Sequence, residues 1–185
     1  MKLSFRRLQR EDFRLLSLWF SQSHVEPWWR EDSDLESIER HYGRVVDGAD
    51  PTELFVVEVD GEPVGFAQLY LLDDNPDWKR SLAPAGVFED AAGIDYLIGQ
   101  EAATGKGLGP RVIDSLVENA WEENGGLQVV VVAVGQDNRR SWRALEKAGF
   151  ERVWAGELVS DDPSDEGPQF VYVRRRSGPG QPGRY

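Results

Sequence analysis

The chain has 185 residues, 40% hydrophobic and 11% aromatic, enough to bury a substantial core in one domain and too apolar for a disordered chain. It holds no cysteine and two histidines, His24 and His41, which excludes disulfides, thiolate metal sites and a cysteine nucleophile and argues against a histidine-based zinc site. A net charge of −12, with Arg174, Arg175 and Arg176 as the one basic run, excludes the positive stripe that nucleic acid requires.

Residues 3–8 alternate as a short strand, and residues 11–23, rich in Leu, Trp and Phe, follow as a helix. Charges interrupt the first twenty residues and no apolar run can span a bilayer, so neither a signal peptide nor a membrane contact is expected and the cytoplasm is the expected compartment. Pro27 is expected to break the helix and leave Trp28 and Trp29 in a loop. Ser33 or Asp34 caps a second helix that runs to about Val46, with Gly48 and Pro51 beyond it. Residues 53–59 and 63–72 read as a hairpin turning at Asp60-Gly61. An acidic, proline-containing connection then leads to a strand at 94–98, a glycine-rich turn, and a helix with apolar residues at Val112, Ile113, Leu116, Val117, Ala120 and Trp121. Gly125-Gly126 stop that helix. Residues 127–134 form a nearly continuous apolar run, the mark of a strand buried on both faces. Asn138 begins a helix ending at Gly149, and residues 150–158 and 170–174 are the last strands. The Gly- and Pro-rich residues 177–185 are expected to be a flexible tail, leaving 1–176 as a single domain.

Chemistry concentrates in the stretch 93–109, GIDYLIGQEAATGKGLG. A strand, a glycine-rich turn and a helix together make an anion cradle, because bare N–H groups and the positive end of the helix dipole converge there. The nucleoside-triphosphate loop G-x-x-x-x-G-K-[ST] does not fit: Gly99 and Gly105 enclose five residues, and Gly107 follows Lys106. The dinucleotide fingerprint G-x-G-x-x-G fails as well, since Gly105, Gly107 and Gly109 give G-x-G-x-G. A tight turn that merely caps the strand is the plainer alternative.

The loop resembles the pyrophosphate loop of the GNAT acetyltransferases, [QR]-x-x-G-x-[GA], with Thr104 in place of the usual Gln or Arg. Residues 138–150, NRRSWRALEKAGF, resemble that family's last helix, and EPVGFAQ at 62–68 its second hairpin strand. The combination of Ser23-His24-Val25 with Trp28-Trp29, Gly65–Gln68, Gly93-Ile94-Asp95 and the glycine loop is similar to the aminoglycoside 6′-N-acetyltransferases. The resemblance implies a mixed α/β (α+β) fold: a mostly antiparallel twisted sheet of six to seven strands, splayed in the middle and flanked by about four helices. It implies acetyl-CoA as co-substrate, no metal, and transfer to a primary amine of a polycationic small molecule, as monomer or homodimer.

Residue by residue, the resemblance places acetyl-CoA against Leu97, Ile98, Thr104, Gly105, Lys106, Gly107, Leu108, Gly109 and Asn138. The first two offer main-chain N–H groups to the thioester oxygen. Asp95 is the carboxylate it sets beside the acceptor amine, to bind the ammonium and accept its proton. A strand-face aspartate with a structural hydrogen bond is the alternative. His24, Trp28, Trp29, Gln68, Tyr70, Trp78, Asp95, Asp161 and Asp162 are the expected substrate contacts. His24 also reads as a helix C-cap, and the acidic segment 160–166 also reads as solvated loop. One position departs from the family: many relatives carry a tyrosine on the last helix that protonates the departing thiolate, and Leu145 stands there. Tyr96 is a possible substitute, but alternation sets it on the strand face opposite Asp95. Acylation of a siderophore precursor such as hydroxylysine and non-catalytic acyl-CoA binding are the other readings.

Overall fold

Hairpin chemistry lays down the first half of a sheet. In the computed structural model, which describes residues 2–176, β1 (Leu3–Arg7) pairs antiparallel with β2 (Glu53–Val59), and β2 turns back into β3 (Glu62–Leu71). Asp60 and Gly61 make the turn with φ of 54° and 86°, the left-handed pair that a two-residue hairpin needs. β4 (Ala91–Ile98) continues antiparallel to β3, β5 (Val129–Gly135) lies parallel to β4, and β6 (Glu151–Glu157) and β7 (Pro168–Arg175) complete seven strands in the order β1-β2-β3-β4-β5-β7-β6.

Six helices stand among the described residues: α1 (Phe13–Phe20), α2 (Glu26–Trp29), α3 (Leu35–Val46), α4 (Pro76–Ser81), α5 (Leu108–Glu123) and α6 (Arg139–Lys147). The two beyond the expected four, α2 and α4, are short, and each has a proline in its first turn. Pro27 does not break α1, which has already ended. It sits in the first turn of α2, where its missing N–H has no partner to lose. Pro76 does the same for α4, and the buried Leu72, Leu82 and Phe88 pin the acidic connection down around it. None of these helices is long and apolar enough to cross a membrane. The expected tail, 177–185, lies outside the described residues.

Alternation along β4 divides the core. Ala92, Ile94, Tyr96 and Ile98 face α5 and α6, whose stripe of Val112, Ile113, Leu116, Val117 and Ala120 is fully buried on the sheet. Each Val, Leu and Ile among them contributes about 1.5–3 kcal/mol. Ala91 and Leu97, on the other face, belong to different clusters. Leu97 packs with α1 and α3, while Ala91 packs with the 72–88 segment, β5 and β7. Between those two clusters the face is left open at Asp95, while the Tyr70 ring covers Gly93. β5 is buried on both faces, as its unbroken apolar run requires: Val130, Val132 and Val134 on one side, Val129 and Val131 on the other.

Candidate active site

The opening between the clusters leads into a cleft of about 1820 Å³ that runs from the acidic loop 160–166 through the sheet to the glycine loop. The cleft exists because β4 and β5 part. Only Ala91–Gly93 and Val129–Val131 pair; beyond them β4 follows β3 and β5 follows β7, so residues 94–98 face the gap with one edge unladdered.

At one end, Gly107 caps α5 with φ 74° and ψ 14°, a left-handed conformation with no side chain to occupy the first turn. A Cβ at Gly105 or Gly107 would meet nothing within 4 Å, so the space above the loop is open. The N–H groups of the first turn, at Leu108 and Gly109, have no intrahelical acceptor and point outward along the dipole. Thr104, Gly105, Gly107, Leu108 and Gly109 line the cleft, as do Leu97 and Ile98. This cradle fits a pyrophosphate by the chemistry of its donors. Two expected contacts behave differently. Lys106 is exposed and outside the lining, since the turn aims its side chain at solvent. Asn138 lines the cleft, but its Oδ1 accepts from Ser141 N at 3.2 Å and caps α6. Thr104 returns its hydroxyl to Glu101 O at 2.8 Å.

At the other end stands Asp95. It lies opposite Gln68 in the β3–β4 register, one step from the Tyr70–Gly93 pair on the same face. A Cβ at Gly93 would fall 2.3 Å from the Tyr70 ring, so glycine there is what lets the tyrosine lie flat beside Asp95. Burial pushes the Asp95 carboxyl up to about 7; Asp165 and Asp162 add to the rise, the Tyr70 hydroxyl opposes it, and Glu31 adds a little more. Burial likewise pushes Asp165 up to about 6, with the Ser160 hydroxyl opposing and Asp162 assisting. Asp165 belongs to the acidic segment 160–166 expected at the mouth, whereas Glu31 stood among no expected contacts. Glu31 is half-buried, accepts from Tyr42 Oη at 2.7 Å, and is raised chiefly by burial. Nothing in its local sequence marks it, because the burial comes from distant elements.

The aromatic wall is only partly as expected. Trp28 is 40% exposed and lines the cleft, and Trp78 reaches it from α4. Trp29 also touches the lining, but stacks on Phe20 at 5.6 Å and meets Phe66 edge-on at 5.7 Å, so packing claims most of the ring. His24 is not a helix C-cap. Its Nε2 meets Ile98 O at 2.8 Å, tying the tryptophan loop to the end of β4, and its Nδ1 is buried without a partner. Asp161 and Asp162 line the acidic rim, where Asp162 Oδ1 accepts from Ser164 N at 2.8 Å and caps a short turn. Arg30 spans the two loops, donating to Pro163 O at 2.9 Å and pairing with Glu166 at 3.2 Å.

A sheet parted at its parallel junction above a glycine cradle is the architecture of an acetyltransferase of the GNAT type. The chain matches the acetyltransferase (GNAT) domain over residues 9–158 and belongs to that family. It is 28% identical over 178 residues to aminoglycoside N(6′)-acetyltransferase type 1 of Klebsiella pneumoniae, across 94% of this chain and 83% of that one. The relative from Serratia marcescens matches equally. Among solved structures, aminoglycoside acetyltransferase AAC(6′)-Ib in complex with coenzyme A superposes with a TM-score of 0.78 at 27% identity over 95% of both chains. Its complex with coenzyme A and kanamycin superposes with 0.78 at 28%, again over 95% of both.

Proposed function

We propose that this acetyltransferase moves the acetyl group of acetyl-CoA to the 6′-amine of an aminoglycoside or to an amine in a closely similar polycation. The observation that carries the reading is one carboxylate, Asp95, with its acidity weakened by burial and by other carboxylates, at the meeting point of an acid-lined chamber and the anion cradle. Relatives solved with coenzyme A and with kanamycin support it. The glycine loop binds the pyrophosphate, and the main chain of β4 on the edge that β5 has left, at Ile98, faces the thioester oxygen. Asp95 then pairs with the incoming ammonium, accepts its proton and leaves a neutral amine to attack. A carboxyl near 7 suits both steps, being basic enough to take the proton and ionised often enough at neutral pH to bind the cation. Asp162, Asp165 and Glu31 hold the remaining ammonium groups, and Trp28 and Trp78 stack on sugar rings.

Incubation with acetyl-CoA and matched aminoglycosides, bearing either an amine or a hydroxyl at 6′, tests this. Thiol release and a one-acetyl mass increase are expected with the 6′-amine alone. Turnover of hydroxylamine substrates without turnover of any aminoglycoside would replace the reading with the siderophore-precursor one. The acidic rim makes a further expectation. Changing Asp161, Asp162 and Asp165 together to Asn, which keeps the turn-capping shape, is expected to raise KM by about 10-fold, more than it lowers kcat, as several half-exposed ion pairs of about 0.2–1 kcal/mol are lost. KM in the unaltered enzyme rises with salt in parallel, because exposed charges are screened over about 8 Å at physiological strength. A KM flat in salt would reduce the rim to solvated loop.

A further inference from the structure

Leu145 is fully buried and outside the cleft, so α6 brings no hydroxyl from that position to the reacting sulfur. A different hydroxyl stands nearby. Tyr96 Oη lies 2.8 Å from Ser141 Oγ, and both residues line the cleft. Ser141 is four residues before Leu145, so the two share one face of α6. A helical side chain covers the turn N-terminal to its own Cα, so a side chain reaching out from position 145 would run toward Ser141. Tyr96 arrives at that same place from β4. Alternation sets it on the face opposite Asp95, and in an unbroken sheet that would part the two. Here the strands diverge beyond Gly93, and the cleft passes through the sheet, so both faces of β4 open onto one space.

Resting on the acetyl-CoA reading above, we infer that the Tyr96 hydroxyl, held by Ser141, is the hydrogen-bond donor to the sulfur that leaves during acetyl transfer. Ser141 can donate its own proton to Tyr96 Oη, and the phenol proton, whose other acceptor is the more distant Ser141 O at 3.4 Å, can then turn to the sulfur. The phenol is buried and raised well above its ordinary range, by burial first and the Asp95 charge last, with the Ser141 bond opposing. It therefore stays protonated at working pH and serves as donor, not base. In the transfer the amine nitrogen forms its bond to the acetyl carbon, the carbon–sulfur bond breaks, and that electron pair stays on sulfur. Asp95 first passes the proton it took from the ammonium to water, then takes the second proton that the nitrogen loses as the amide forms. The sulfur leaves as a thiolate stabilised by the O–H···S bond and takes a proton from water on release, so the protons balance.

Tyr96→Phe keeps the ring in its packing and removes the donor alone. The probe is coenzyme A itself, whose thiolate absorbs in the ultraviolet and whose thiol pKa in the binary complex can be titrated. The thiol of bound coenzyme A is expected to titrate about one to two pH units higher in the variant, the loss expected for a hydrogen bond to a charged group. Its dissociation constant, measured below the titration, should move by less than about threefold, and kcat should fall about 10- to 100-fold. Superimposable titration curves for the two proteins would overturn the inference and leave the acetyl-CoA reading standing. Loss of coenzyme A binding in the variant alone would overturn the inference, and failure of the native protein to bind coenzyme A would overturn both.

Discussion

Asp95→Asn is expected to lower kcat by about 10²-fold or more, the span of general-base contributions, while leaving the affinity for acetyl-CoA nearly unchanged. The variant keeps the shape beside Gln68 and Tyr70 and loses both the charge and the basic lone pair. The pH dependence gives the sign. On the proposed mechanism Asp95 works ionised, so activity in the native enzyme is expected to rise as pH climbs through about 7, with a bound ammonium drawing that limb lower. The variant lacks the limb. Stability runs the other way. Between the ordinary aspartate value near 3.8 and about 7, the folded state holds a proton that the unfolded state has given up, so Asp95 makes the fold less stable as pH rises through that window. Asn removes this slope, and thermal unfolding at several pH values reads it directly. If kcat is preserved and KM alone rises, Asp95 binds the cation and does not take the proton.

Gly107→Val is expected to weaken acetyl-CoA binding by about 10- to 100-fold. Two effects act together. At φ 74° a β-branched residue is strained by about 1–3 kcal/mol, and a Cβ in the space now open above the loop would stand where the phosphates approach the Leu108 and Gly109 N–H groups. Losing even one charge-assisted hydrogen bond removes about 1.5–3 kcal/mol. Calorimetric titration with coenzyme A measures the loss, and a melting curve separates it from strain. Gly107→Ala, with a smaller group in the same backbone conformation, should fall between the two. Native affinity in a folded Gly107→Val protein would place the pyrophosphate elsewhere.

Most of the architecture was legible in the sequence because its signals are periodic. The stripe Val112–Trp121, the doubly buried run at β5 and the Asp60-Gly61 turn each carry a local rule, and each leads to the element found. α4 escaped because six residues are too few to show a helical period, and Pro76 reads as loop until its place in the first turn is known. The site was legible where backbone conformation is encoded locally, at Gly105 and Gly107. It was illegible where acidity depends on closeness across the fold: Asp165 and Glu31 meet Asp95 only once three distant segments are assembled. Tyr96 shows a third kind of gap. The rule of alternating faces is sound for a continuous sheet, and the parting of β4 from β5 is what suspends it.

That parting also bears on how the molecule carries load. The backbone ladder between the two half-sheets is the short pairing of Ala91–Gly93 with Val129–Val131, so β1–β4 and β5–β7 are panels meeting at a narrow hinge line. What braces the hinge is α5, packed over both sides of it. The cluster beneath α5 draws Val57, Val64 and Ala67 from one panel and Val130, Val132 and Tyr172 from the other. The same helix presents Gly107 and the cradle at its forward end. Stiffness of the frame and position of the cradle are therefore a single mechanical property, and a cavity opened under Leu116 or Val117 would slacken both panels and tilt the cradle in one movement.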